Sequence, residues 1–333
     1  MEYFIKLFLS GTAKGSIYAL MALGYTMVYG IIQLINFAHG EIYMIGGFTA
    51  LILGGFFFSK GMPVSLVLVF SILLSIIYAA AFGFTIEKIA YKPLREKPRL
   101  SALISAIGVS IILQNFVLLS QTEKFLPFPN YLPEFSWLLP YRSYINSTQL
   151  IILITTAIIM VLLTLLIKFT RMGKAMRATA QDMHMAQLVG VDINQVISLT
   201  FVIGSSLAAI GGVLICSYMG QINYYIGFIA GIKAFVAAVL GGIGSIPGAV
   251  LGSFVLGWTE SFGTGYVSSD YEDAFAFLIL IIILLIKPDG CLLYTSDAAD
   301  DLLCVYLGVR RIIKKKNNKH KFVTDKSYLN TPL

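Results

Sequence analysis

Asn36-Phe37-Ala38-His39-Gly40-Glu41-Ile42-Tyr43-Met44-Ile45-Gly46-Gly47 lies between two long apolar runs. It carries one of 3 histidines and one of 17 acidic residues in a chain of 333. An ionisable pair at membrane depth is a functional candidate by default, because hydrocarbon penalises charge. Gly40, Gly46 and Gly47 are read as loosening the backbone there. Irregular backbone at that depth is tolerated only inside protein or along a water-filled cavity.

Working outward, composition decides the class. The chain is 57% hydrophobic and 12% charged, with a mean hydropathy of +0.82. Soluble domains carry roughly 25% charged residues, so this chain could not keep its apolar surface from water as a soluble globule. The expected fold is all-α: a polytopic transmembrane bundle of 8–9 spans, some broken or re-entrant. Apolar runs fall at 8–34, 41–58, 64–86, 101–119, 149–168, 194–217, 226–240, 247–262 and 273–287. The runs 41–58 and 226–240 are short against the ~20 residues a crossing needs. The first run continues past any cleavage pattern and reads as a span rather than a leader. Cys216, Cys291 and Cys304 have no paired spacing, so neither a disulfide framework nor a metal site is expected, and no cofactor. The net charge of +7 sits largely in loops and tail. On a membrane protein it signals topology rather than nucleic-acid binding.

Segment 87–100 holds Lys88, Lys92, Arg95, Lys97 and Arg99, and 168–177 holds Lys168, Arg171, Lys174 and Arg177. Both are expected at the cytoplasmic face. The Pro-rich loop 120–148, with Trp137, and the acidic loop 259–273 are expected outside, which puts the N-terminus outside. Lys6 and Lys14 argue against that orientation.

Further candidates follow. Gly241-Gly242-Ile243-Gly244-Ser245-Ile246-Pro247-Gly248 permits a helix break or a close helix contact. Such interrupted segments can mark a midplane site. Segment 168–195 reads as a cytoplasmic amphipathic helix ended by Gly190, with Met172, Met176 and Met183 at helical spacing. It suits either docking in a partner's groove or lying on the inner leaflet. Asn36, His39 and Glu41 could line a substrate path, or Glu41 could serve the next helix as an N-terminal acid. His39 and Glu41, two apart, would not face each other on a regular helix. Gln114 and Asn115 are expected to hydrogen-bond between helices, and Lys233 to snorkel.

The sequence resembles the permease subunits of branched-chain amino-acid ABC importers, most closely the first of the paired permeases. The resemblance runs over about residues 8–290 and rests on 15–29, 34–47, 170–190 and 234–252. Asn36, His39, Glu41, Gly241, Gly242 and Gly244 are the candidate substrate-pathway residues. The resemblance implies an ATPase-coupling loop with Arg171, Gly173, Ala186 and Gly190. Ala186-Gln-Leu-Val-Gly190 fits the family's Ala-x-x-x-Gly core, although His184 and Met185 stand where the wider consensus has Glu and Ala. The implied partners are a second permease, two cytoplasmic ATPase subunits, an extracytoplasmic substrate-binding protein and the bilayer of a bacterial inner membrane. The chain has no Gly-x-x-x-x-Gly-Lys-Ser/Thr loop, so ATP hydrolysis would belong to partners. Permeases for urea or short amides look similar. A stand-alone secondary transporter or channel is the reading from another class. Residues 1–290 are expected to form the permease. Residues 291–333 resemble translated sequencing-adaptor read-through and are expected to be non-native.

Overall fold

Apolar side chains in hydrocarbon leave the backbone to satisfy its own hydrogen bonds, and every long apolar run here becomes a helix. The computed structural model describes residues 1–95, 97–129, 131–133, 135 and 144–286. Trp137 and the whole segment 291–333 lie outside the described residues. The helices are α1 (Glu2–Ile32), α2 (His39–Ser59), α3 (Val64–Ile86), α4 (Arg99–Ser120) and α5 (Ser147–Phe169). Two short helices, α6 (Arg171–Gln181) and α7 (Met183–Leu188), precede α8 (Ile193–Met219). The chain continues through α9 (Ile226–Gly241), α10 (Ile246–Tyr266) and α11 (Glu272–Ile286). A two-stranded ribbon pairs β1 (Leu126–Pro127) antiparallel to β2 (Gln221–Ile222).

The expected 8–9 spans are corrected downward. Among the described residues 6 helices are long and apolar enough to cross (α1–α5 and α8), or 7 if the bent pair α9–α10 counts as one. That pair turns by 120° at residues 242–245, where Gly242 (φ 90) and Gly244 (φ 104) adopt the left-handed backbone glycine permits. With 16 residues α9 reaches only ~24 Å, short of the ~30 Å hydrocarbon core.

The expectation for 41–58 also changes. α2 runs unbroken for 21 residues, and the break lies before it, where Gln33 takes a left-handed φ of 56. Its glycines serve packing. A Cβ on Gly46 would lie 2.6 Å from Ala209 Cα on α8, so only hydrogen fits. Lipid tails are as apolar as leucine, so close backbone approach replaces the hydrophobic effect as the source of cohesion. α1 and α8 form the buried centre, and α5 is largely exposed on its outer face.

The ends of the bundle sort by charge. Arg95 Nη1 donates to Asn194 Oδ1 at 2.8 Å, so the basic segment after α3 shares an end with the start of α8. Tyr144 Oη donates to Glu2 Oε1 at 3.0 Å, so the N-terminus shares an end with the loop before α5. Lys14 loses its force as a topology signal: it lies within α1 and pairs with Glu272 at 2.9 Å. The positive-inside rule counts loop charges, so Lys14 no longer opposes the expected orientation.

Candidate functional site

The opening segment builds a closed polar cluster between α1, α2, α4, α8 and α9. Asn36 is 2% exposed, His39 2% and Glu41 0%. Asn36 Oδ1 accepts the Ala38 amide at 3.1 Å and the Tyr91 hydroxyl at 3.1 Å, so it shapes the turn into α2. Glu41 stands in the first turn of α2, where the helix dipole favours a negative charge. Its Oε1 accepts from Ser110 of α4 at 3.1 Å. His39 packs edge-on against Tyr25 with ring centroids 4.8 Å apart, and its Nε2 points at Gly24, where a Cβ would collide with it. Asn36 Nδ2, His39 Nε2 and Glu41 Oε2 have no hydrogen-bond partner among the described residues. An unpaired buried polar atom forfeits about 1–3 kcal/mol. Gly40 backs onto Gly227 and Gly231 of α9, and Glu41 Oε2 lies beside Gly227. The glycines at 241–244 do not join this cluster. Gly241 packs on Gly248, and Gly244 lies beside Gly30 at the inner end of α1.

Lys233 does not snorkel. Its Nζ lies 2.7 Å from Asp273, 3.2 Å from Glu260 and 3.4 Å from Glu272. Tyr18 donates to Glu260 at 2.8 Å. The acidic run 259–273 was read as a loop, but α10 continues to Tyr266 and carries Glu260 into the interior. The signal available in sequence was the matching of one buried cation to that acidic run. Asn115 does not bond between helices. It donates to Ile111 O of its own helix at 2.8 Å, and Gln114 Nε2 has no partner among the described residues. No group of three or more His, Cys, Asp or Glu that could hold a metal occurs among the described residues.

The segment 168–195 is two helices rather than one. Asp182 takes an extended backbone (φ −152), and its carboxylate accepts the His184 and Met185 amides at 2.9 and 3.0 Å. Thr170 caps α6 through Gly173 at 3.0 Å, and Asp192 caps α8 through Asn194 at 2.9 Å. Gly190 closes α7 at φ 88. Arg171 is exposed, whereas Gly173, Met176 and Ala186 are buried. The methionine face therefore turns inward, and the apolar surface left outside is Met185, Leu188 and Val189, at 61, 81 and 78% exposure. Arg177 donates to Ile167 O and Lys168 O at the end of α5. A small cavity of about 110 Å³ separates α6 from Gly244 at the tip of the α9–α10 hairpin. On the same side, Arg95 is ion-paired to Glu87, which also accepts from Ser198 at 2.7 Å. Burial pulls the Arg95 guanidinium below its ordinary pKa, and Glu87 opposes that.

These features define a class: a multi-pass membrane transport permease, with polar groups sealed between spans and two capped helices presented at its basic end. Residues 7–284 match the family described as "Branched-chain amino acid transport system / permease component", and the chain belongs to that family. It is 47% identical over 295 residues to the high-affinity branched-chain amino acid transport system permease protein LivH of Salmonella typhimurium (87% of this chain, 96% of that one). It is 48% identical over 294 residues to BraD of Pseudomonas aeruginosa, again covering 87% and 96%. The probable LivH of Methanocaldococcus jannaschii is 27% identical over 304 residues, covering 86% and 91%. The chain is a transport subunit and a multi-pass protein of the bacterial inner membrane.

Proposed function

We infer that this chain forms part of the translocation path of an ATP-driven importer for leucine, isoleucine, valine or a similar hydrophobic amino acid. The observation that carries the reading is its 47% identity across 96% of a relative named for branched-chain amino acid transport. That reading displaces urea, short amides and a stand-alone secondary transporter. An extracytoplasmic binding protein delivers substrate, a second permease completes the path, and two cytoplasmic ATPase subunits drive it.

Within that reading the roles divide by side. Met185 and Leu188 on α7, with Val189 just after it, are the contact for an ATPase groove, because apolar side chains on a water-facing loop are otherwise unpartnered. Ala186 backs that surface from the buried side, Gly190 turns the chain just after it, and Arg171 and Gly173 set the start of α6. The hairpin tip at Gly242–Gly244 receives the motion, since Gly244 lies against Gly30 of α1 and lines a small cavity together with Met176, Arg177 and Ala180 of α6. Asn36, His39 and Glu41 form the inner polar station, closed in this conformation. Residues 291–333 lie beyond the family match, which ends at residue 284, and are assigned no part in transport.

The test is uptake of radiolabelled leucine in cells lacking their own importer. Co-expression of this chain with the second permease, ATPases and binding protein should restore uptake. Restored uptake without the ATPases would overturn the reading.

A further inference from the structure

The geometry points to a binding site for a zwitterionic α-amino acid with an apolar side chain, in a vestibule on the outer side of this one chain. The inference rests on the importer reading but places a substrate station inside a single subunit. A cavity of about 750 Å³ opens between α1, α2, α8, α9 and α11. Ligand cavities of roughly 300–1,000 Å³ with apolar walls and a few convergent polar groups are the common form of small-molecule sites. The β1–β2 ribbon and the turn before α11 border it, through Phe125, Gln221 and Asp270. Both lie at the end opposite the basic loops.

Three features of the lining select the ligand. First, one part of the wall is aliphatic: Ile226, Ile229 and Ala230 of α9 line the cavity together with Ile215, Met219 and Ile222. This suits an apolar side chain and rejects a charged one. Second, the charged corner has an excess of acid. Lys14 and Lys233 face Glu260, Glu272 and Asp273, three carboxylates against two ammonium groups. Asp273, with its side chain 51% exposed, and the exposed Asp270 on the cavity wall are the accessible acids that can accept the ligand's ammonium. Third, Tyr43 lines the cavity at 1% exposure, and its hydroxyl has no hydrogen-bond partner among the described residues. It is a donor for the ligand's carboxylate, and the Asn223 amide supplies a second.

α9 is also the partition to the next polar station. Its Ile226, Ala230 and Lys233 face the vestibule, while Gly227 and Gly231 pack on Gly40 on the other side. Glu41 Oε2 lies directly behind Gly227. Substrate held in the vestibule is therefore one helix thickness from the closed cluster.

Thiol protection in the assembled importer tests this. Ser269→Cys and, separately, Ile229→Cys are exposed to a membrane-impermeant maleimide from outside, with the wild-type chain correcting for Cys216, Cys291 and Cys304. Both positions should label. L-Leucine at about ten times its half-saturating level should slow labelling about tenfold by mass action, and L-glutamate should not. Ala230→Trp, which narrows the cavity, should abolish that protection or raise the leucine concentration needed, in complexes that still assemble. Labelling indifferent to leucine, or slowed equally by glutamate, overturns the site. So does a residue reachable only from the cytoplasm. Failure of the wild-type complex to take up leucine would instead overturn the importer reading, and protection is scored independently of it.

Discussion

Removal of Lys233 should destabilise the fold strongly. Lys233→Met would leave Glu260, at 0% exposure, without its cation. Breaking a buried ion pair from one side costs about 3–5 kcal/mol, so thermal unfolding in detergent should shift sharply downward. Asn115→Leu, on an exposed face and bonded only to its own helix, should stay within about 0.5 kcal/mol of wild type in the same measurement. Gly46→Val should abolish stable expression, because the new Cβ meets Ala209 Cα, a backbone atom that cannot step aside. The sequence made Asn36, His39 and Glu41 visible, since charge in apolar surroundings is conspicuous. Their partners Tyr91 and Ser110 were not visible, because each comes from a different helix, and helix adjacency is not written in local pattern. Lys233 was misread for the same reason: snorkelling is a property of one helix, while its carboxylates come from α10 and α11.

At the scale of elements, the coupling segment shows how a cap overrides periodicity. Methionines at helical spacing imply one helix with one face. Asp182 breaks it, because its carboxylate satisfies two amides that a continuous helix would bond to its own carbonyls. Asp182→Ala should cost roughly 1 kcal/mol of local stability, seen as faster hydrogen exchange over residues 183–189. Leu188→Asp places a charge on the surface assigned to the ATPase. It should remove ATPase from a pull-down while leaving membrane insertion and the second permease in place. Undiminished ATPase recovery would move the coupling surface elsewhere. Apolar run length read the nine helical segments well. It could not show that α9 and α10 form one bent unit, since a turn of Gly242 and Gly244 is equally compatible with two separate spans.

At the scale of the whole molecule, the expected orientation rests on loop charge, which the bilayer makes directional. Basic segment 87–100 meets the start of α8 through Arg95 and Asn194, and the N-terminus meets the loop before α5 through Tyr144 and Glu2. Truncation after Gly290 should leave leucine uptake at the wild-type level, because the family match ends at residue 284. The central claim, that this chain is a permease driven by partners, has its most direct test in proteoliposomes. The chain is reconstituted with the second permease and the ATPases, binding protein is added outside, and labelled leucine is followed with and without internal ATP. Accumulation that requires both ATP and the ATPase subunits is the predicted result. Leucine transport by this chain alone, without ATP and driven by a proton gradient, would contradict the account.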